Sequence, residues 1–284
     1  MTQDGKLKIL IADLSENSIN DRTSQSIPFT DLGCLDVPEG YEPDDIKNIV
    51  QALGKLIVKI VVTETSPRRP DVYPGTTVQY PKGSITGTGR IDFVKFKGAS
   101  PGTRMAEDDN DRIKIVTSTS AVFDQSEAQH TTCILNYDTE TSDVIVLSCQ
   151  EVVADVESGR CEIFCAIDDP DVAQQLVREI YAFTRLHDST RIKYNTRTQQ
   201  NLVLTVSHPD GLPKHVSIGS QYKQQTQYTT SGITNSIYVY RLNLGNGCCG
   251  APIYRPEKFT AMSLHPHSYM DGSVGVSAVE YEKI

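Results

Sequence analysis

Hydrophobic positions along the chain follow two periods. In "PDDIKNIVQALG", Ile46, Ile49, Val50 and Leu53 recur at helical spacing behind Pro43, Asp44 and Asp45, a first turn suited to the positive end of a helix dipole. The spacing predicts a helix over 43–54 that stops at Gly54. The next run, "LIVKIVV", is short and β-branched and predicts a strand. From about 84 to 165 the pattern becomes short alternating runs, "GRIDFVKF", "RIKIVTSTS", "HTTCILNYD", "DVIVLSCQEVV" and "CEIFCAI", separated by Gly, Asp and Ser turns. A second helix interrupts them in "DDPDVAQQLVREIYAF", with Asp169 as N-cap, Pro170 at the first helical position and Val172, Leu176, Val177 and Ile180 on one face. A polar and basic connector follows over about 186–200, and strands resume in "NLVLTVSHP", "KHVSIGSQ", "SIYVYRL", "APIYRP", "FTAMSLHP" and "GSVGVSAVEY". Residues 1 to about 35 read as a flexible lead-in with one short strand at Leu7–Ile11.

Composition narrows the class. A chain of 284 residues exceeds the usual single-domain size, so two packed units or one large β-architecture are expected. The 38% hydrophobic and 22% charged content is that of a globular protein. A net charge of −9 argues against a dedicated nucleic-acid or anionic-membrane binder, because such proteins need a positive field; the basic stretch Arg185–Arg197 reads as a solvated face. The N-terminal apolar run of five residues is too short for a secretory segment or a spanning helix, and a cytoplasmic location is expected. Seven cysteines, at 34, 133, 149, 161, 165, 248 and 249, are an odd number without framework spacing, which points to reduced thiols. Neither Cys161-x-x-x-Cys165 nor Cys248-Cys249 has the paired spacing of structural zinc, so no metal and no cofactor are expected.

The candidate chemistry concentrates in "GNGCCGAPIYRP", where two adjacent cysteines sit in a glycine-rich turn that enters an apolar strand. Such a turn suits a nucleophile, a metal site or a tight bend. Three further stretches bear on the choice: "ITGTGRI" at 85–91, the hairpin "LVLTVSHPDGLPKHVSIGSQ", and "AMSLHPHS". Together they resemble the trypsin-like serine peptidases of chymotrypsin fold, over residues 65 to 284, and are similar in particular to intracellular trypsin-like proteins of invertebrates. The resemblance implies an all-β fold of two six-stranded antiparallel β-barrels, with an N-terminal extension and one or two peripheral helices. The expected division is an extension over 1–64, a first barrel with its trailing helix over 65–185, and a second barrel over 186–284.

Carried over residue by residue, the nucleophile position falls on Cys249, and the backbone N–H groups of Gly247 and Cys249 form the implied oxyanion hole. The other two catalytic positions depart from the family. In Thr117-Ser118-Thr119-Ser120-Ala121-Val122-Phe123-Asp124, Ser120 stands where the base histidine belongs, a register held by "VFD" and by "EAQHTT" at 127–132. In Gly159-Arg160-Cys161-Glu162-Ile163-Phe164-Cys165, Gly159 replaces the orienting aspartate, and Asp155 lies four residues upstream on another turn. A serine takes no proton near neutral pH, which removes acid–base help worth roughly 100- to 10,000-fold. Loss of the orienting carboxylate alone costs about 10,000-fold in the trypsin template. A thiol at 249 offsets one loss, being a few per cent ionised at neutrality, but supplies no proton to a departing amine.

The remaining histidines have plainer readings. His130 reads as a surface or packing residue, His208 and His215 as a hydrogen-bonded turn, and His187 as an exposed connector residue. His265 and Asn243 are placed by the resemblance in the substrate pocket, the former in analogy to viral cysteine peptidases of this fold that read a Gln or Glu side chain with histidine. Cys248-Cys249 reads either as an inert remnant or as a reactive thiol pair. Three functions follow: a catalytically inactive pseudopeptidase that holds an extended peptide in the interbarrel cleft, an active cysteine endopeptidase using Cys249, and an all-β structural module. The expected partner is a peptide or protein segment, with no nucleic acid and no membrane.

Overall fold

A computed structural model describes residues 25–72, 79, 83–95, 111–156, 159–194, 202–230, 233–256, 264–271, 274–277 and 280–283, with side chains described except at 220–239, 241 and 264–283. The expected strand at Leu7–Ile11 lies outside the described residues. The chain is mostly sheet. Its strands are β1 (Gln25–Pro28), β2 (Ile57–Val62), β3 (Ile85–Lys95), β4 (Arg112–Ser118), β5 (Thr131–Leu135), β6 (Ile145–Asp155), β7 (Arg160–Ala166), β8 (Leu202–Ser207), β9 (His215–Thr230), β10 (Ile233–Arg241), β11 (Pro252–Tyr254), β12 (Leu264–Asp271), β13 (Val274–Ser277) and β14 (Glu280–Lys283). The α-helices are α1 (Pro43–Gly54), α2 (Gln125–Ala128) and α3 (Pro170–Tyr194).

Strands β2-β3-β4-β7-β6-β5 close into a six-stranded antiparallel barrel. Alternation builds it: along β7, Cys161, Ile163 and Cys165 are buried while the residues between them are only half-buried. The barrel's first strand, β2, lies before residue 65, within the stretch read as an N-terminal extension. The expected second barrel is not closed. In its place is an eight-stranded sheet of order β1-β9-β8-β11-β12-β13-β10-β14, curled back on itself by a β9–β10 pairing. The physical reason is short pairing at one seam: β11 has three residues and meets β8 only at Tyr254↔Leu204. β9, sixteen residues long, is shared between β8 and β1 along its first half and β10 along its second.

Helix α1 matches its expected span, and its apolar stripe, Ile46, Ile49, Val50 and Leu53, is wholly buried in the main core. Asp169 caps α3 as expected, accepting from the N–H groups of Asp171 (2.9 Å) and Val172 (3.2 Å). The helix then runs on to Tyr194, through most of the stretch expected to be a connector. Its continuation is carried by an inward row of mixed polarity: Phe183, Thr190 and Tyr194 are buried and His187 is half-buried. At its end the Tyr194 hydroxyl accepts from Glu42 N–H (3.0 Å) and donates to Asp45 (2.8 Å), which fixes α3 to the start of α1.

Among the described residues no helix is long and apolar enough to cross a membrane.

Candidate functional site

The glycine-rich turn between β10 and β11 lies against the closed barrel. Gly247 and Gly250 have φ of +84° and +86°, the left-handed region that a side chain disfavours. A Cβ at Gly250 would overlap the Thr117 hydroxyl and the Thr88 carbonyl oxygen; one at Gly247 would stand 2.5 Å from the His208 carbonyl oxygen. Thr88 of β3 reads the turn twice: its N–H donates to the Cys249 carbonyl (2.8 Å) and its hydroxyl to the Gly247 carbonyl (2.8 Å). The same hydroxyl accepts from the N–H of His208 (3.0 Å), so the β8–β9 turn is tied in as well.

The two cysteines face different surroundings. Cys248 is fully buried, its thiol donating to the Ser207 hydroxyl at 3.2 Å, and burial pushes it up to about 12. Cys249 is half-buried. Of the two, Cys249 is the one with access to solvent.

Ser120 lies in the turn after β4. Its side chain is buried, and its hydroxyl is hydrogen-bonded to that of Ser118. The structure brings the three carried-over positions into one neighbourhood. A Cβ on Gly87 would lie 2.6 Å from the Ala121 Cβ and 3.3 Å from the Cys249 carbonyl oxygen, so β3 separates the two turns by the width of one glycine. Gly159, with φ of +73°, accepts from the N–H of Thr119 at 2.9 Å. Asp155 sits on the exposed end of β6, opposite Arg160 in register.

An ion pair that sequence reading missed holds the Ser120 turn. Arg69 and Glu127 form a fork of two bonds, Nε to Oε1 at 2.7 Å and Nη2 to Oε2 at 2.5 Å, with side chains 4% and 0% exposed. Arg69 also donates to the carbonyls of Ser120 (3.1 Å) and Ala121 (3.5 Å), while Glu127 accepts from the N–H groups of Ser66 (3.0 Å) and Phe123 (2.8 Å). The signal available in the sequence was Glu127 inside the "EAQHTT" anchor; nothing local pairs it with an arginine 58 positions away.

The histidines fall as follows. His130 is 43% exposed and lies 3.7 Å from Glu64. His208 and His215 each bond within the β8–β9 turn, to the carbonyls of Leu212 and Pro213, both at 3.0 Å; a carbonyl only accepts, so Nδ1 carries the proton in each. His208 is fully buried, stacked on Tyr137, and burial lowers it to about 3. His187 is on α3 rather than in an exposed connector: it is half-buried, stacked on Phe183, with Nδ1 3.3 Å from the Tyr254 hydroxyl, and burial lowers its pKa. Of the expected pocket residues, Asn243 is exposed and its carbonyl accepts from the Ser217 hydroxyl (2.7 Å). His265 has its backbone on β12, paired with Ile253, and its side chain lies outside the description. Among the described residues, no cluster of His, Cys, Asp or Glu is arranged to hold a metal ion.

No protein family and no curated protein matches the chain. Similar solved structures are proteases. Deg5 aligns with a TM-score of 0.44 at 10% identity, covering 85% of this chain and 91% of its own. The Rv3671c protease of M. tuberculosis in its active form aligns with a TM-score of 0.41 at 11% identity, covering 86% and 89%. An HtrA-type protease, AlgW, solved with a tripeptide, aligns with a TM-score of 0.40 at 10% identity over 81% of this chain; the match spans 58% of the length of AlgW.

Proposed function

We propose that this chain is a pseudopeptidase of chymotrypsin-like fold, which holds an extended peptide in the cleft between its two β-units and does not hydrolyse it. One observation carries the reading. The glycine turn presenting Cys249 is built to the tolerance of a nucleophile turn, while the facing turn offers the buried hydroxyl of Ser120, already bonded to Ser118, where a proton carrier belongs. A thiol so placed can meet a carbonyl. The hydroxyl that the Ser120 turn supplies does not protonate a leaving amine near neutral pH. Gly159 contributes a carbonyl to Thr119 and no carboxylate, so the orienting group is missing with the base. Binding then rests on backbone pairing and a side-chain pocket, the usual means by which a sheet holds an extended peptide.

The test begins with a thiol-directed peptidyl electrophile and a broad peptide library. The expected outcome is slow labelling of Cys249, retention of some peptides by the protein, and no cleavage above buffer. Cleavage that Cys249→Ala abolishes would replace this reading with a cysteine endopeptidase. Failure to retain any peptide would leave a structural module. The double variant Ser120→His/Gly159→Asp is expected to bring measurable cleavage; aspartate is among the side chains that tolerate the left-handed backbone of position 159.

A further inference from the structure

Three buried thiols lie close together in the closed barrel. Cys149 on β6 stands directly opposite Cys165 on β7. Cys133 on β5 belongs to the same core. All three are free thiols in the structure. Directly opposed residues of an antiparallel pair have Cα atoms about 4.5 or 5.5 Å apart, inside the span of about 4.4–6.8 Å that a disulfide bridges. The register thus places Cys149 and Cys165 within the Cα span of a disulfide.

The three thiols differ in access. Cys149 is 9% exposed, whereas Cys133 and Cys165 are 0% exposed. Beside Cys149 the register of β6 on β7 slips, between Cys149 and Glu151, and a bulge of this kind interrupts the ladder locally. The side chain of Gln125 bonds to the β6 backbone on either side of Glu151. Its amide donates to the Gln150 carbonyl (3.0 Å) and accepts from the Val152 N–H (2.9 Å), while the Cys149 thiol donates to the Glu151 carbonyl at 3.4 Å. Cys149 thus lies at a seam in the barrel wall, the β6–β7 bulge, next to a stretch of β6 backbone that one glutamine side chain holds.

We propose that Cys149 and Cys165 are an oxidisable pair, a modification site that a hydroperoxide converts to a cross-strand disulfide, with Cys149 attacked first. The Cys149 sulfur takes the terminal oxygen of the peroxide, giving a sulfenic acid and an alcohol, or water from hydrogen peroxide. The Cys165 sulfur then displaces that oxygen as water and forms the S–S bond; the two thiols lose two electrons and the peroxide gains them. The neighbouring Cys165 side chain, followed by burial, holds the Cys149 thiol above its ordinary range, and the Cys133 side chain does the same for Cys165. Thiolate is scarce, and the rate follows the opening of the seam.

The full chain is treated with hydrogen peroxide under native conditions, quenched with N-ethylmaleimide and mapped by non-reducing peptide mass spectrometry. The expected principal intramolecular product is the Cys149–Cys165 peptide, formed with the far-UV circular dichroism unchanged. Cys165→Ser is expected to lose it and to accumulate a dimedone-reactive Cys149, and Gln125→Ala to form it faster than wild type. Recovery of Cys149 and Cys165 as alkylated thiols while Cys34 and Cys249 oxidise would overturn the proposal, as would a disulfide that forms only in urea. An unchanged rate in a folded Gln125→Ala would overturn the seam as its entrance. The wild-type map decides the main point even where a variant fails to fold.

Discussion

At the scale of single residues, the buried imidazole of His208 sets an acid limit on the fold. Burial, partly opposed by the hydrogen bond to Leu212, lowers its pKa from 6.5 to about 3, with Lys214, Lys59 and His215 adding positive charge around it. The unfolded chain binds this proton below about pH 6.5 and the folded chain only near 3, so stability is full above 6.5 and is lost as pH falls between the two values. The slope is about 1.4 kcal/mol per pH unit for one proton. Urea titrations at pH 7 and pH 5 are expected to show that loss in wild type and a shallower one in His208→Gln. The half-buried His187 shifts in the same direction and remains in both proteins, while the lowered carboxyls of Asp92 and Asp124 act below their ordinary 3.8. The roles proposed for Cys249, Ser120 and Gly159 rest on a motif that fixes their spacing. The Arg69–Glu127 fork was not legible in the sequence, because its partners meet only after the barrel closes, and its bonds to Ser120 and Ala121 are to backbone carbonyls that carry no residue identity.

At the scale of elements, the turn carrying Cys249 has almost no tolerance at Gly250. Its left-handed backbone disfavours a side chain by about 1–2 kcal/mol, and a methyl group would press on the Thr117 hydroxyl and the Thr88 carbonyl, an overpacking cost of about 1–3 kcal/mol more. Gly250→Ala is expected to lower the unfolding free energy by about 2–5 kcal/mol in all, read as a fall in the urea midpoint. Gly33→Ala, at a site with nothing within 4 Å of the added carbon, is the matched control and is expected to be nearly neutral. Helices show where element reading succeeds and stops. The stripe of α1 is all aliphatic and its limits were legible to the residue, whereas the later turns of α3 turn inward a row that includes His187, Thr190 and Tyr194, which composition alone assigns to a connector. β1 was missed for a related reason: "QSIP" has no strand-like alternation, and backbone pairing with β9 makes it a strand.

At the scale of the whole molecule, the two β-units are joined by a buried charge. Lys214, at the start of β9 and 1% exposed, pairs at 2.7 Å with Asp138, in the loop after β5 and 40% exposed, and its N–H donates to the Tyr137 carbonyl at 3.2 Å. Removing the carboxylate strands a cation inside the protein; removing the cation leaves a carboxylate that water can reach. Asp138→Ala is therefore expected to cost about 2 kcal/mol, less than the roughly 3–5 of a fully enclosed pair, and Lys214→Met to cost within about 1. Equilibrium denaturation of the two variants checks the order, which a simple count of lost bonds would make equal. Two β-rich units were legible from the spacing of strands and turns. That the second stays open was not, because it turns on the single residue pair between β8 and β11, a contact with no local signature.

The shared edge of β9 gives the four-residue β1 a role beyond its size. An uncovered strand edge is a row of unsatisfied donors and acceptors that another chain can copy itself onto. β1 occupies that edge at His215, Val216, Ser217 and Ile218, just before β10 takes over the remainder from Ser220. Four residues from a stretch that reads as slack lead-in thus fill the place beside β9 that the strand of another chain would otherwise take.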